Sequence, residues 1–214
     1  MMGLLYKDIL VQRKQIGYYL AFVVVYTALV VAGVFTSAIL AGLVVLIGMM
    51  LPMSSFAYDD LARWERYAAA TPAGRRGIVN GKYLFALASL LLAAVPIFLI
   101  QCVLSLAGLS DMEIKDTALV VLSCTGVGAL IDALEMPFLI KFGAEKSRVI
   151  SIVIFVVFFG GVMLLGQLGD RLGSLPTPPA WLIQALPGLL VLVGIGACVI
   201  SYCISQAICQ KKEF

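Results

Sequence analysis

The chain has no histidine and little charge. Without histidine, HExxH metalloprotease sites, Ser-His-Asp and Cys-His nucleophile arrangements and His-ligated haem or zinc are excluded. Asp, Glu, Lys and Arg make up 13% of the 214 residues and hydrophobic residues 62%. A soluble domain carries about 25% charged and about 45–50% apolar residues, so this composition belongs in lipid. Strand alternation is lacking, which argues against a barrel, and no internal repeat marks an inverted-repeat transporter. The five cysteines, Cys102, Cys124, Cys198, Cys203 and Cys209, are odd in number and include no CxxC pair. They read as small packing residues between helices rather than as a disulfide framework, with Cys209 beside Lys211 also a lipidation candidate. A phosphate loop is missing too. Gly77-Ile78-Val79-Asn80-Gly81-Lys82-Tyr83 has its first glycine at the wrong spacing and Tyr83 where Ser or Thr is needed. Gly126-Val127-Gly128 is a lone GxG inside an apolar stretch and reads as helix packing.

What the chain does have is length without charge. Gln15 to Tyr58 is 44 residues with no ionisable acid or base, about 66 Å of helix at ~1.5 Å per residue. The hydrocarbon core is only ~30 Å thick, so this stretch crosses twice. Tyr83–Ser110, Val149–Gly169 and Leu172–Gln210 are likewise charge-free. Thr117–Ile131 adds a shorter run that either ends near Pro137 or carries Asp132 and Glu135 at its inner end. The expectation is an all-α polytopic membrane protein. It has a single transmembrane domain over 1–214 and six spans near 16–36, 39–57, 83–107, 117–138, 149–169 and 183–205.

Of 15 Lys and Arg, 13 fall on one side of this arrangement; only Lys115 and Arg171 fall on the other. The positive-inside rule then places both termini in the cytoplasm, and the expected location is a bacterial cell membrane. The net charge of +3 needs no nucleic-acid partner, because the basic residues border the spans and suit anionic lipid.

Ahead of the first span, Met2, Leu5, Tyr6, Ile9 and Leu10 share one helical side and Lys7, Asp8, Lys14 and Gln15 the other, as expected of an interfacial helix. The longest cytoplasmic segment, Tyr58–Lys82, starts with a second amphipathic pattern, Tyr58, Leu61, Trp64 and Ala68, with Asp59, Asp60, Arg63 and Arg66 between them. Thr71-Pro72-Ala73-Gly74 breaks that pattern and sets Arg75-Arg76 at the tip. Asp59-Asp60 resembles half of a magnesium site, but the second acidic cluster is missing on that side, so electrostatics at a helix start and partner contact are the stronger readings. Asp132 and Glu135 lie one turn apart and are read as facing either a transport route or the headgroup layer beside Lys141. The glycines at 160, 161, 166 and 169 and the small-residue row Ala197, Ser201, Ser205 read as close helix packing, within the chain or at a dimer face.

Two cytoplasmic motifs carry a family resemblance. The first joins Lys7-Asp8, Phe56-Ala57-Tyr58-Asp59-Asp60 with Trp64, Thr71-Pro72, Arg75, and Val79-Asn80-Gly81-Lys82-Tyr83. The second is Pro137-Phe138, Lys141-Phe142-Gly143 and Glu145-Lys146, a cytoplasmic turn before span five. Together they resemble the ABC-2 type exporter permeases, and within that group the permeases of phenol-soluble modulin exporters. The resemblance implies a dimeric permease, of two identical copies or two close homologues. It has no catalytic, cofactor or metal residues of its own, and ATP and magnesium reside on a separate ABC ATPase subunit. It further implies an ATPase-coupling segment, carried onto Tyr58, Asp59, Asp60, Leu61, Trp64, Arg66, Tyr67, Pro72, Arg75 and Arg76. Asp132 and Glu135 become candidates for the route or its gating. The expected activity is export of amphipathic peptides; drugs, bacteriocins or lipids are alternative cargoes. A non-transporting anchor or sensor-complex subunit is the alternative of another class.

Overall fold

The computed structural model describes residues 2–64, 67, 74–172 and 180–211. Its helices are α1 (Met2–Val11), α2 (Arg13–Val31), α3 (Ala38–Leu61), α4 (Gly74–Leu106), α5 (Ile114–Leu172) and α6 (Ala180–Lys211). Among the described residues, five helices, α2 to α6, are long and apolar enough to cross a membrane.

Helix α5 contains 59 residues, about 88 Å at ~1.5 Å per residue. A single crossing needs about a third of that length. It is broken at Gly143, whose φ of 77° and ψ of 174° are not helical. Positive φ is a conformation that glycine adopts freely and a side chain opposes. The arms 114–142 and 144–172 fold back on each other, since Phe155 packs against the buried cluster of Val45, Met49 and Ile131. The span expected over 117–138 lies inside a helix that passes through Pro137 and breaks at Gly143. A proline removes only one hydrogen bond, which spanning helices tolerate, and Pro52, Pro96 and Pro187 also lie inside helices.

A second difference concerns α4. It starts at Gly74, so Arg75 and Arg76 form its first turn instead of a loop tip, and the Gly77–Tyr83 stretch is helical. Thr71, Pro72 and Ala73, read as the preceding break, lie outside the described residues.

Helix α3 is the central element, with Leu40, Ala41, Val44, Leu51 and Phe56 almost fully buried. Helix α2 leans on it and buries only Val23 and Val30. The arm 114–142 and α6 cross in near contact: a Cβ on Gly126 would lie 2.8 Å from the Leu190 carbonyl carbon, and one on Gly194 would lie 3.0 Å from the Gly126 oxygen. That is the packing use read for Gly126-Val127-Gly128. Ser201 and Ser205 are buried against the Tyr83 hydroxyl at 2.6 and 2.8 Å, so this small-residue row packs within the chain. Among the described residues, nothing lies within 4 Å of a Cβ added at Gly160 or Gly161. The α2–α3 hairpin is closed at its tip by the Ser37 N–H donating to Asp111 Oδ1 at 3.1 Å and by Gln101 Nε2 donating to the Ser37 carbonyl at 2.6 Å.

Candidate functional site: a charged hub at the end of α3

Tyr58, Asp59, Asp60 and Leu61 were expected to open a surface helix. They form the last turn of α3, and the chain leaves that helix through Arg63, whose φ is 50°. Two acids at a helix C-terminus work against the dipole, whose negative end lies there, so they need nearby cations. Asp59 has them. Its carboxylate pairs with Lys7 of α1 and, at 2.6 Å, with Lys82 of α4. Lys82 also reaches Asp8 at 3.4 Å and donates to Ser55 Oγ at 2.6 Å, and Lys7 meets Asp8 at 2.9 Å. Two cations and two anions thus form a neutral cluster in which Asp8, Asp59 and Lys82 are buried. Removing one member of such a buried set leaves an uncompensated charge, which costs about 3–5 kcal/mol. Aromatic rings complete the cluster, with the Lys82 ammonium 4.7 Å from the Phe56 ring centre and the Lys7 ammonium 4.9 Å from that of Trp64.

Asp60 points elsewhere. Its Oδ2 accepts the Ala144 N–H at 2.6 Å, satisfying one of the free donors that open the second arm of α5. Two neighbouring acids at the end of α3 therefore bind three elements: Asp59 holds α1 and α4, and Asp60 holds the break at Gly143.

The seating of α1 follows from the same contacts. Asp8 and Gln12 are buried, with Gln12 Nε2 donating to the Leu51 carbonyl at 2.7 Å, while Tyr6, Ile9, Leu10 and Val11 are exposed. The polar side faces protein and the apolar side faces outward, which is the arrangement a lipid interface favours.

Beyond the hub the remaining coupling candidates present free surface. Leu61 is 83% exposed, Tyr67 67% and Tyr58 37%, and Arg76 is also exposed. Trp64 is half-buried under Lys7. Arg66 and Pro72 lie outside the described residues, and only the backbone of Arg75 is described. Asp59, placed by sequence in the coupling set, has its carboxylate committed to Lys7 and Lys82. The partners of Asp59 were missed. Lys7-Asp8 and Lys82 stood out as motif residues, but nothing in one sequence says that a lysine opening the third span meets an acid closing the second.

Asp132 and Glu135 are both buried and diverge. Asp132 lines a cavity of about 550 Å³ among α4, the arm 114–142 and α6, whereas Glu135 turns toward the second arm of α5 and hydrogen-bonds Ser151. Among the described residues neither forms an ion pair with Lys141, whose ammonium lies 5.0 Å from the ring centre of Phe142. A second cleft of about 530 Å³ lies beside the hub between α2, α3 and the arm 144–172, with Tyr19, Met49, Met53, Tyr58 and Arg148 on its walls.

A hairpin broken at Gly143, a charged hub closing the second apolar helix and a short polar-face-inward first helix thus occupy the positions of the two sequence motifs. A family model described as ABC-2 family transporter protein matches residues 3–211. The chain belongs to the ABC-2 transporter family. No curated protein and no solved structure matches it. ABC-2 membrane subunits are generally not catalytic themselves and work with an ABC ATPase partner. The hub therefore sits in a chain of a family whose membrane subunits generally associate with an ABC ATPase.

Proposed function

We propose that this ABC-2 chain is the six-span subunit of an ATP-driven exporter, with both termini and the hub in the cytoplasm. The two arms of α5 are the fourth and fifth spans. The observation that carries the reading is the hub itself. Asp59 and Asp60 close α3 immediately ahead of the coupling segment, so a push on the end of α3 would reach α1, α4 and the Gly143 break through them. Closure of two ATPase subunits would push this segment on each of two permease copies and tilt the spans. The scarcely buried α2 and the exposed valines of the arm 144–172, among them Val149, Val153 and Val157, offer a face to a second copy or a close homologue. The exposed Leu61, Tyr67 and Arg76 and the half-buried Trp64, with Arg66, Pro72 and Arg75, are the ATPase seat. Cargo is amphipathic, with peptides of the phenol-soluble modulin kind as the class that the family resemblance favours.

Copurification with a candidate ABC ATPase subunit tests this reading. Trp64→Ala, or Arg75→Glu with Arg76→Glu, is expected to weaken association by about 2 kcal/mol, roughly 30-fold, while membrane insertion is unchanged. In proteoliposomes holding both subunits, an amphipathic helical peptide should stimulate ATP hydrolysis and move only while ATP is hydrolysed. Undiminished association of both variants would remove the coupling assignment. ATPase docking without transport of any amphiphile would favour the anchor reading.

A further inference from the structure

The polar groups around the 550 Å³ cavity are satisfied, with one exception. The Tyr83 hydroxyl meets Ser201 and Ser205, the Tyr202 hydroxyl donates to Asn80 Oδ1 at 2.6 Å, and the Cys198 thiol donates to the Ala129 carbonyl at 3.4 Å. Asp132 lines the same cavity, is 4% exposed, and among the described residues neither of its carboxylate oxygens has a partner. Among the described residues no lysine or arginine is on the cavity wall, and the rest of the lining is mainly aliphatic or aromatic. A carboxylate in a spanning helix is expensive, and such residues mark the paths of substrates and ions. The volume falls in the range of small-molecule sites, about 300–1,000 Å³. At ~1.5 Å per residue, Asp132 lies about 15 Å from Phe142 at the inner end of its arm, about half the ~30 Å thickness of the hydrocarbon core. The edge-to-face rings of Tyr83 and Tyr202, 5.5 Å apart, stand on the same wall, and ring faces attract ammonium groups.

We propose that this cavity is a binding site for a single-chain cationic amphiphile, its ammonium head on Asp132 and its alkyl chain along Leu87, Leu90 and Ile195. Charge complementarity selects that occupant: an apolar wall fits any chain, but the lone carboxylate discriminates for a positive head and against an anionic one. The site deepens the exporter reading, on which its place in transport rests, by naming a cationic cargo class.

Binding is read by native mass spectrometry of the full-length permease, without ATPase, in a neutral detergent with dodecylammonium, dodecyl sulfate or dodecanol. Saturable dodecylammonium binding at least about tenfold tighter than either same-length competitor is expected, the equivalent of one charge-assisted contact. Asp132→Asn should bring the three within about twofold, Asp132→Glu should restore the preference, and Leu87→Trp, at an exposed α4 position, should weaken binding by filling the cavity. Size-exclusion profiles identify any variant that fails to fold, and the Glu and Trp variants keep the test decisive if the Asn variant does. Equal binding of the three amphiphiles to wild type, or a preference that survives Asp132→Asn, overturns the site. Because no ATPase is present, either result leaves the exporter reading to its own test.

Discussion

Asp60 accepts a hydrogen bond from the Ala144 N–H at 2.6 Å, 84 positions away in the chain. The contact fixes the end of the second apolar helix against the start of the arm that follows Gly143. The end of α3 and the start of the second arm of α5 are thus joined directly. The joint is a backbone cap, so its strength is set by geometry rather than by surface charge.

That geometry makes Gly143 intolerant of a side chain. A Cβ there would lie 2.8 Å from Asp60 Oδ2, and the φ of 77° is one that side chains oppose. Gly143→Ala is expected to cost about 1–3 kcal/mol, seen as a lower melting temperature in detergent. Asp60→Ala alone should lose the cap, about 0.5–2 kcal/mol. The double variant should lose less than the sum, because the clash and the cap share one atom. Strict additivity would break the link between the two residues.

Lys82→Met leaves Asp8 and Asp59 sharing only Lys7. The expected destabilisation is about 3–5 kcal/mol. Lys82→Met with Asp59→Asn keeps the Lys7–Asp8 pair and removes the surplus charge, so most of the loss should return. A double variant as unstable as the single one would show that packing of the lysine, and not charge balance, holds α1 and α4 together.

At the α5–α6 crossing, Gly126→Ala drives a methyl group to within 2.8–3.0 Å of the Leu190 and Val191 backbone. Backbone cannot rotate aside, so the helices must part, at about 1–3 kcal/mol. Gly160→Ala, with nothing within 4 Å, serves as the control and should leave the monomer's melting temperature unchanged. Equal effects at the two positions would refute close approach at Gly126.

Topology is checked in a cysteine-free background. Cysteines at Gly74 and Lys212 should be shielded from impermeant thiol reagents in intact cells, and one at Ser174 labelled. External labelling at 74 would overturn the six-span arrangement.

Spans were legible because hydrocarbon thickness converts charge-free length directly into crossings, as at Gln15–Tyr58. The helix starting at Met2 and the turn at Lys141-Phe142-Gly143 were legible for related reasons, apolar periodicity and a glycine. The helix runs on through Pro137 because in lipid the backbone must keep its hydrogen bonds, so a proline that would end a helix in water does not end this one. The opposite employment of Asp59 and Asp60 was illegible: adjacent acids look identical in sequence, and only tertiary packing aims one at Lys7 and Lys82 and the other at Ala144. The separation of Asp132 from Glu135 was hidden in the same way, since one turn of spacing permits a shared face and the fold placed a cavity on one side and Ser151 on the other.

The charged cluster also sets an order of assembly. Lys7 and Asp8 leave the ribosome first, but Lys82 follows them by more than seventy residues and belongs to the third apolar helix. Chains emerge and begin to fold from the N-terminus, so the first helix waits on the membrane surface, its apolar side held by lipid, until two further helices have been inserted. Its final seating is a checkpoint: a chain that stalls or mis-inserts before residue 82 leaves Asp8 without its lysine from α4, and the end of α3 stays unanchored.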